Sequence, residues 1–423
     1  MAFADAYFSK QKGFKPFFSE SPSEDLRYIV VIPAYREPDL TGSLDSLFKC
    51  TPPEGHVEVI IVINIPENAD QTVVLETRKN ASVASGWIKD HNRREFRFLL
   101  IPFSVMPAKE AGVGFARKMG MDQALYRFNS LNNPRGHILS FDADSQCDTN
   151  YFTAIEETIQ KHPLTKGFNL YFEHPLSGND YPAAVYRGIT LYEMHLRYLN
   201  LFVRYTGFPH AFHTVGSCFG VRADVYAGQG GMSKKKAGED FYFLQKIIPL
   251  GGFREINNTC VMPSPRESDR VPFGTGAAIH KYLKSQGSVI LTYAPACFFS
   301  LRSFFMLAGS LYTMSEEEVN SAMNKVQEPL RTYLFENRAS EAIREIRANS
   351  GSLLTFTNRF FKWFDAFRII KYLNYASRTS FRQISTNQAV RDYLQVTGMP
   401  APPENTAATE LLNLLRKIER SRA

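Results

Sequence analysis

Residues 137–145 read HILSFDADS. Five residues of strand-like character lead directly into two carboxylates, Asp142 and Asp144, one residue apart. A short apolar run bounded by polar turn residues reads as a buried strand. Two carboxylates behind a strand end can converge on one hard cation. Mg²⁺ and Mn²⁺ take oxygen ligands and are commonly held by one or two carboxylates plus substrate phosphates. A DxD triplet by itself is more often a solvated acidic turn. Position gives this one weight, because open α/β sheets bind ligands at the carboxyl ends of their strands. The flanking chain must therefore be read for such a sheet.

Upstream it supplies one. Residues 28–33 (YIVVIP) and 57–63 (VEVIIVI) are near-continuous β-branched runs, the mark of strands covered on both faces. Residues 96–101 (FRFLLI) read as a third strand and 137–141 as a fourth. Helical spacing separates some of them: Leu40, Leu44, Leu47 and Phe48 lie on one side of a helix over 39–48, and 112–128 reads as another. The alternation predicts a mostly parallel sheet with helices on both faces. Residues 1–26, with SESPSED before the first strand, read as an N-terminal extension.

Downstream the pattern changes. Residues 186–205 look like one long helix, and a glycine-bearing stretch over 216–231 leads to a helix opening at Glu239. Residues 263–276 form a second Pro/Gly-rich stretch. Beyond 289 nearly everything is helical, including 316–324, 353–375 and 410–420, with a linker over 396–405 (VTGMPAPPEN). The expected organisation is an extension over 1–26, an α/β domain over 27–285 and a helical region over 286–423.

The composition is ordinary for a folded chain: of 423 residues, 44% are hydrophobic and 22% charged, which excludes whole-chain disorder. A net charge of +7, from 49 Lys and Arg against 42 Asp and Glu, suits phosphates or an anionic surface but is no nucleic-acid footprint. The five cysteines are widely spaced with no CxxC pair, so neither a disulfide framework nor a zinc knuckle is expected. The start has no secretory pattern. Residues 289–314 are apolar but interrupted by Pro295 and Arg302, and read as buried helix rather than a membrane span. A cytoplasmic location is expected.

Three further segments bear on the strand ends. Pro33, Ala34, Tyr35, Arg36 and Glu37 close the first strand. A proline there is expected to stop the ladder and leave backbone groups for a ligand, with the Tyr35 ring placed to stack on a base. Residues 111–125 (AGVGFARKMGMDQAL) carry three glycines at helical spacing, suited to close packing, and two cations, Arg117 and Lys118, suited to a phosphate. GxGxxG is absent, so a dinucleotide fingerprint is not supported. Gly238, Glu239 and Asp240 open a helix, whose N-terminus is expected to lower the Asp240 pKa and leave an ionised general base. Arg266 and Arg270, on the later Pro/Gly-rich loop, could meet diphosphate oxygens. His280, His210 and His213 read more simply as packing residues. So do the aromatics over 356–367, although Arg359, Lys362, Arg368 and Lys371 interleave with them as on a helix lying against an anionic membrane.

In order, VVIPAYRE, GVGFARKMG, FDADS, GSCFGVRADVY with GGM, and GEDFYFL resemble a family 2 glycosyltransferase of the GT-A fold, over about residues 28–248. The resemblance implies a Rossmann-like domain binding a nucleotide-diphospho-sugar, a hexosyltransferase activity in polysaccharide or glycoconjugate biosynthesis, and Mg²⁺ or Mn²⁺. By the same resemblance Pro33, Ala34, Tyr35 and Glu37 hold the nucleoside, and Asp142 and Asp144 hold metal and diphosphate. Asp240, with Glu239 beside it, matches the base of inverting members, and Gly216 and Ser217 match the acceptor side. One departure stands out: the family's second strand usually ends in an aspartate that reads the base, and here it ends in Asn64. A UDP-sugar is the expected donor, and a carbohydrate or lipid-linked molecule at the inner face of a membrane the expected acceptor. The alternatives are a sugar-phosphate nucleotidyltransferase, which would need a Gly-rich, Arg-bearing signature after the first strand, or a non-catalytic nucleotide-sugar-binding scaffold.

Overall fold

The computed structural model describes residues 2–108, 110–235, 238–268, 274–285 and 289–422. It divides into two compact units. The first comprises residues 1–178, 214–277 and 419–423, and the second 179–213 and 278–418.

The first unit holds an eight-stranded sheet. Its strands are β1 (Leu26–Ala34), β2 (His56–Pro66), β3 (Phe96–Met106), β4 (His137–Ser140), β5 (Gln146–Cys147), β6 (Gly167–Phe172), β7 (Phe219–Arg222) and β8 (Phe253–Met262). They lie in the order β3-β2-β1-β4-β7-β6-β8-β5. The first four run parallel, as the alternation predicts. Beyond β4 the sheet is mixed: β7 is antiparallel to both β4 and β6, and β5 is antiparallel to β8, while β6 and β8 are parallel. An antiparallel ladder asks of β7 only that it alternate and fit its neighbours, so its four residues gave no periodic signal that sequence reading could use.

The core sits where the sequence is most apolar. Ile29, Val30, Val31 and Ile32 of β1 and Val59, Ile60, Ile61 and Val62 of β2 are fully buried. Each such side chain contributes about 1.5–3 kcal/mol on burial. Asp39 caps the Leu40–Phe48 helix by accepting from the Gly42 amide. Helix Val113–Ser130 lies against β1 and β2. Gly120 makes that close approach possible, because a Cβ there would stand 2.4 Å from Val31 Cγ1 and 2.9 Å from Val62 Cγ2.

The N-terminal segment is tied to that same helix. Ala4 N donates to Asn129 Oδ1, Tyr7 Oη to Asp122 Oδ1 and Phe17 N to Gln123 Oε1. Arg127 Nη1 reaches the Glu20 carbonyl. These contacts tie the N-terminal segment to the first unit.

In the second unit, helices Ala183–Tyr205 and Pro295–Met306 pack through Phe202 and Phe298, stacked with ring centroids 4.7 Å apart. The helical stretch read over 353–375 consists of two helices, Leu353–Trp363 and Ala366–Thr379, with Asp365 capping the second. Among the described residues, no helix is long and apolar enough to cross a membrane.

Candidate active site

The C-terminal ends of β1, β2 and β4 gather the predicted residues. β4 pairs with β1 only as far as Val31, and Phe141 N still donates to the Val31 carbonyl. Strand groups alternate sides, so the nitrogen of Pro33 faces the β4 side beyond the last paired residue, where a ladder donor is not needed. Pro33 therefore does not stop the ladder, and β1 continues to pair with β2 through Pro33 and Ala34. Chain direction turns at Arg36, which adopts a left-handed φ of 50°. Asn64 is buried near the end of β2.

The turn that carries Asp142 and Asp144 is pinned from two sides. Ser43 Oγ donates to the Ala143 carbonyl at 2.8 Å, and Ser145 N to the Asp142 carbonyl at 3.1 Å. The two carboxyl side chains keep 34% and 30% of their surface exposed. Among the described residues, no group of three or more His, Cys, Asp or Glu is arranged to hold a metal.

Arg117 lies beneath this turn, 2% exposed, and every guanidinium nitrogen is engaged. Nε donates to Glu239 Oε1 at 3.1 Å and Nη2 to Asp142 Oδ1 at 3.0 Å. Nη1 donates to Ser140 Oγ at 2.6 Å and to the Gly216 carbonyl at 3.1 Å. Ser140 Oγ in turn donates to the same carbonyl at 2.6 Å. One buried cation thus joins β4, the Asp142 turn, the Gly216 stretch and the helix Glu239–Ile247. Gly216 contributes its carbonyl, and Ser217 is fully buried with Oγ 3.2 Å from Cys218 Sγ.

Gly114 makes this convergence possible. A Cβ on it would stand 1.9 Å from the Lys235 carbonyl oxygen and 3.1 Å from Glu239 Cβ. Lys118, expected near a phosphate, instead pairs with Asp122 at 2.8 Å and donates to Tyr7 Oη at 3.0 Å. On a helix buried nearly all round, a side chain one position from Arg117 points to a different neighbour.

Asp240 behaves opposite to the expectation from its helix position. Burial pushes its pKa up to about 7, with the negative charges of Glu239 and Asp142 acting in the same direction. Arg117 and the Phe241 amide, which donates to Asp240 Oδ1 at 2.7 Å, pull it down without reversing the shift. Desolvation outweighs the helix terminus here.

On the other side of the turn, Arg266 forms a forked pair with Glu37, at 2.8 Å from Nη1 and 2.9 Å from Nη2. Nη2 also lies 3.3 Å from Asp144 Oδ2. Arg270 falls outside the described residues. Sequence reading missed Ser140 and Gly114. Ser140 carried a signal as a polar residue between the apolar Leu139 and Phe141, whereas Gly114 was seen only as one of three spaced glycines.

No protein-family model matches the chain, and no curated protein matches it. Among solved structures it is similar to residues 1–349 of S. aureus TarS in complex with UDP-GlcNAc, at 16% identity over 94% of this chain and 90% of that one, with a TM-score of 0.38. The same TarS segment in complex with UDP gives 13% identity over 80% and 91% of the two chains, with a TM-score of 0.37. The mannosyltransferase PcManGT from Pyrobaculum calidifontis, in complex with GDP-Man and Mn²⁺, gives 12% identity over 99% and 92%, with a TM-score of 0.32.

Proposed function

We propose that the chain is a metal-dependent glycosyltransferase that moves a sugar from a nucleotide-diphospho-sugar to an acceptor hydroxyl with inversion. The supporting observation is the convergence of Asp142, Glu239 and Asp240 on the buried Arg117 at the sheet's ligand-binding end. Among the described residues, Arg266 joins Glu37 and Asp144 on the other side of the same turn.

The donor chemistry of Asp142 and Asp144 fits Mg²⁺ or Mn²⁺: two hard, partly exposed carboxylates leave the rest of the shell to phosphate and water. The ion, when bound, would neutralise the diphosphate as it leaves. Pro33, Ala34, Tyr35 and Asn64 line the end where the nucleoside would lie, with a UDP-sugar as the favoured donor. Arg266 would exchange carboxylates for diphosphate oxygens. Arg117 acts from beneath, positioning Asp142 and Glu239.

Asp240 carries the proton transfer. As the acceptor oxygen bonds to the anomeric carbon, the bond from that carbon to the diphosphate oxygen breaks and the acceptor proton passes to the Asp240 carboxylate. A pKa near 7 suits such a base at neutral pH. The decisive experiment is a thermal-shift panel of UDP- and GDP-sugars with and without Mn²⁺, on the native chain and Asp144→Asn. A metal-dependent shift that disappears in the variant supports the reading. No shift with folded protein, or a shift indifferent to both metal and Asp144, overturns it. NMR of the product then reads the anomeric configuration.

A further inference from the structure

Two arginines meet the Asp142–Asp144 turn, and they differ in how easily they could let go. The Arg117 side chain is 3% exposed and is held at once by Glu239, Asp142, Ser140 and the Gly216 carbonyl. The Arg266 side chain is 23% exposed and stands four residues past the end of β8, behind Pro263 and Pro265.

The contacts of Arg266 are unequal. Its guanidinium forks onto Glu37, Nη1 to Oε1 at 2.8 Å and Nη2 to Oε2 at 2.9 Å. Glu37 is itself fixed in place. It is buried, follows the left-handed Arg36, and its carbonyl accepts from Asn80 Nδ2 at 2.7 Å. The reach from Nη2 to Asp144 Oδ2 is 3.3 Å, longer than charge-assisted hydrogen bonds usually are. Glu37 thus holds a cation against Asp144, and the looser contact is the one to the carboxylate that suits a hard metal ion.

We propose that Arg266 is the resting counter-cation of Asp144 and that it makes metal binding and donor binding depend on each other. This deepens the reading above and rests on it. A guanidinium and a divalent cation repel each other, and here both need Oδ2, so an ion arriving alone must displace Arg266. A diphosphate offers the guanidinium oxygens in the same forked geometry that a carboxylate does. It draws Arg266 off Asp144 and leaves that carboxylate to the metal. Donor and metal therefore bind more tightly together than either does alone, and by linkage each favours the other by the same factor.

Mn²⁺ binding to the full chain, read by electron paramagnetic resonance with and without UDP, tests this. Arg266→Gln should tighten Mn²⁺ binding in the absence of UDP by about tenfold, and the enhancement that UDP gives should shrink by a similar factor. Loss of a side chain that only packed would weaken Mn²⁺ binding in both conditions or change neither. Arg266→Gln removes the fork from the buried Glu37 and can disturb the fold, so the double variant Glu37→Gln with Arg266→Gln is made beside it. The double variant alters no net charge, and tighter Mn²⁺ binding there reports the contact at Oδ2 rather than the overall field. Unchanged or weaker binding without UDP in the double variant overturns the role of Arg266, and leaves the metal site standing where Asp144→Asn abolishes binding. Mn²⁺ binding that is absent, or indifferent to Asp144→Asn, in every background overturns the donor-site reading and this inference with it.

Discussion

Helix Val113–Ser130 buries a cation near each end, and the two ends are built differently. Near its C-terminus, Arg127 forks onto Glu58 of β2, with both side chains almost completely buried. Between them, Lys118 pairs with Asp122, whose Oδ1 also accepts from Tyr7 at 2.7 Å and Tyr226 at 2.8 Å. Each of these clusters has one cation for one carboxylate. At the other end, Arg117 faces Asp142, Glu239 and Asp240 together. Each matched pair offsets part of its own desolvation cost, and removing either partner would leave the other charge buried and alone. Around Arg117 the carboxylates outnumber the guanidinium, and the like charges of Glu239 and Asp142 add to burial in raising the Asp240 pKa.

Substitutions at the two ends should therefore fail in different ways. The largest effect is expected at Asp240→Asn, a loss of about 10²–10⁴ in transfer rate with the fold intact. A variant that keeps full rate would remove Asp240 from the chemistry. Arg127→Ala should act on stability instead, by about 3–5 kcal/mol in chemical denaturation, because Glu58 is left buried and alone. A cost below about 1 kcal/mol would erase the distinction between the two ends. Gly114→Ala should cost about 1–3 kcal/mol and also lower donor affinity, since it parts the two helices that Arg117 joins. Stability without affinity loss would detach Gly114 from the site.

The smallest effect is the most specific. The folded pKa of Asp240 lies at about 7, above its ordinary value, so the folded chain holds a proton that the unfolded chain releases. Its contribution to stability is complete at acid pH and is lost as pH rises towards and through 7. Asp240→Asn should flatten that part of the stability profile. In carbon-detected NMR, adding Mg²⁺ should lower the Asp240 pKa, since a nearby cation favours the ionised form. A titration near the ordinary carboxylate range in metal-free protein would contradict the account of burial and like charge.

Much of the site was legible from local patterns. The parallel half of the sheet, the position of Asp142 and Asp144 after β4, and the helix opening at Glu239 all followed from short apolar runs and their punctuation. The Gln71–His91 helix was not, because its only buried residues are Thr77 and Ala84 and no apolar stripe marks it. The strands β6, β7 and β8 were likewise unread, being defined by partners distant in sequence.

The sequence by itself determined where the chain is apolar, where it turns and which acids stand at the strand ends, since these depend on neighbours a few residues away. Only the tertiary structure decided that Arg117 meets Glu239 from 122 residues away, that Lys118 turns aside, and that Asp240 is raised rather than lowered. Charge–charge distances and burial are properties of packing, and a helix terminus or a spacing rule gives only one of the fields acting on each group.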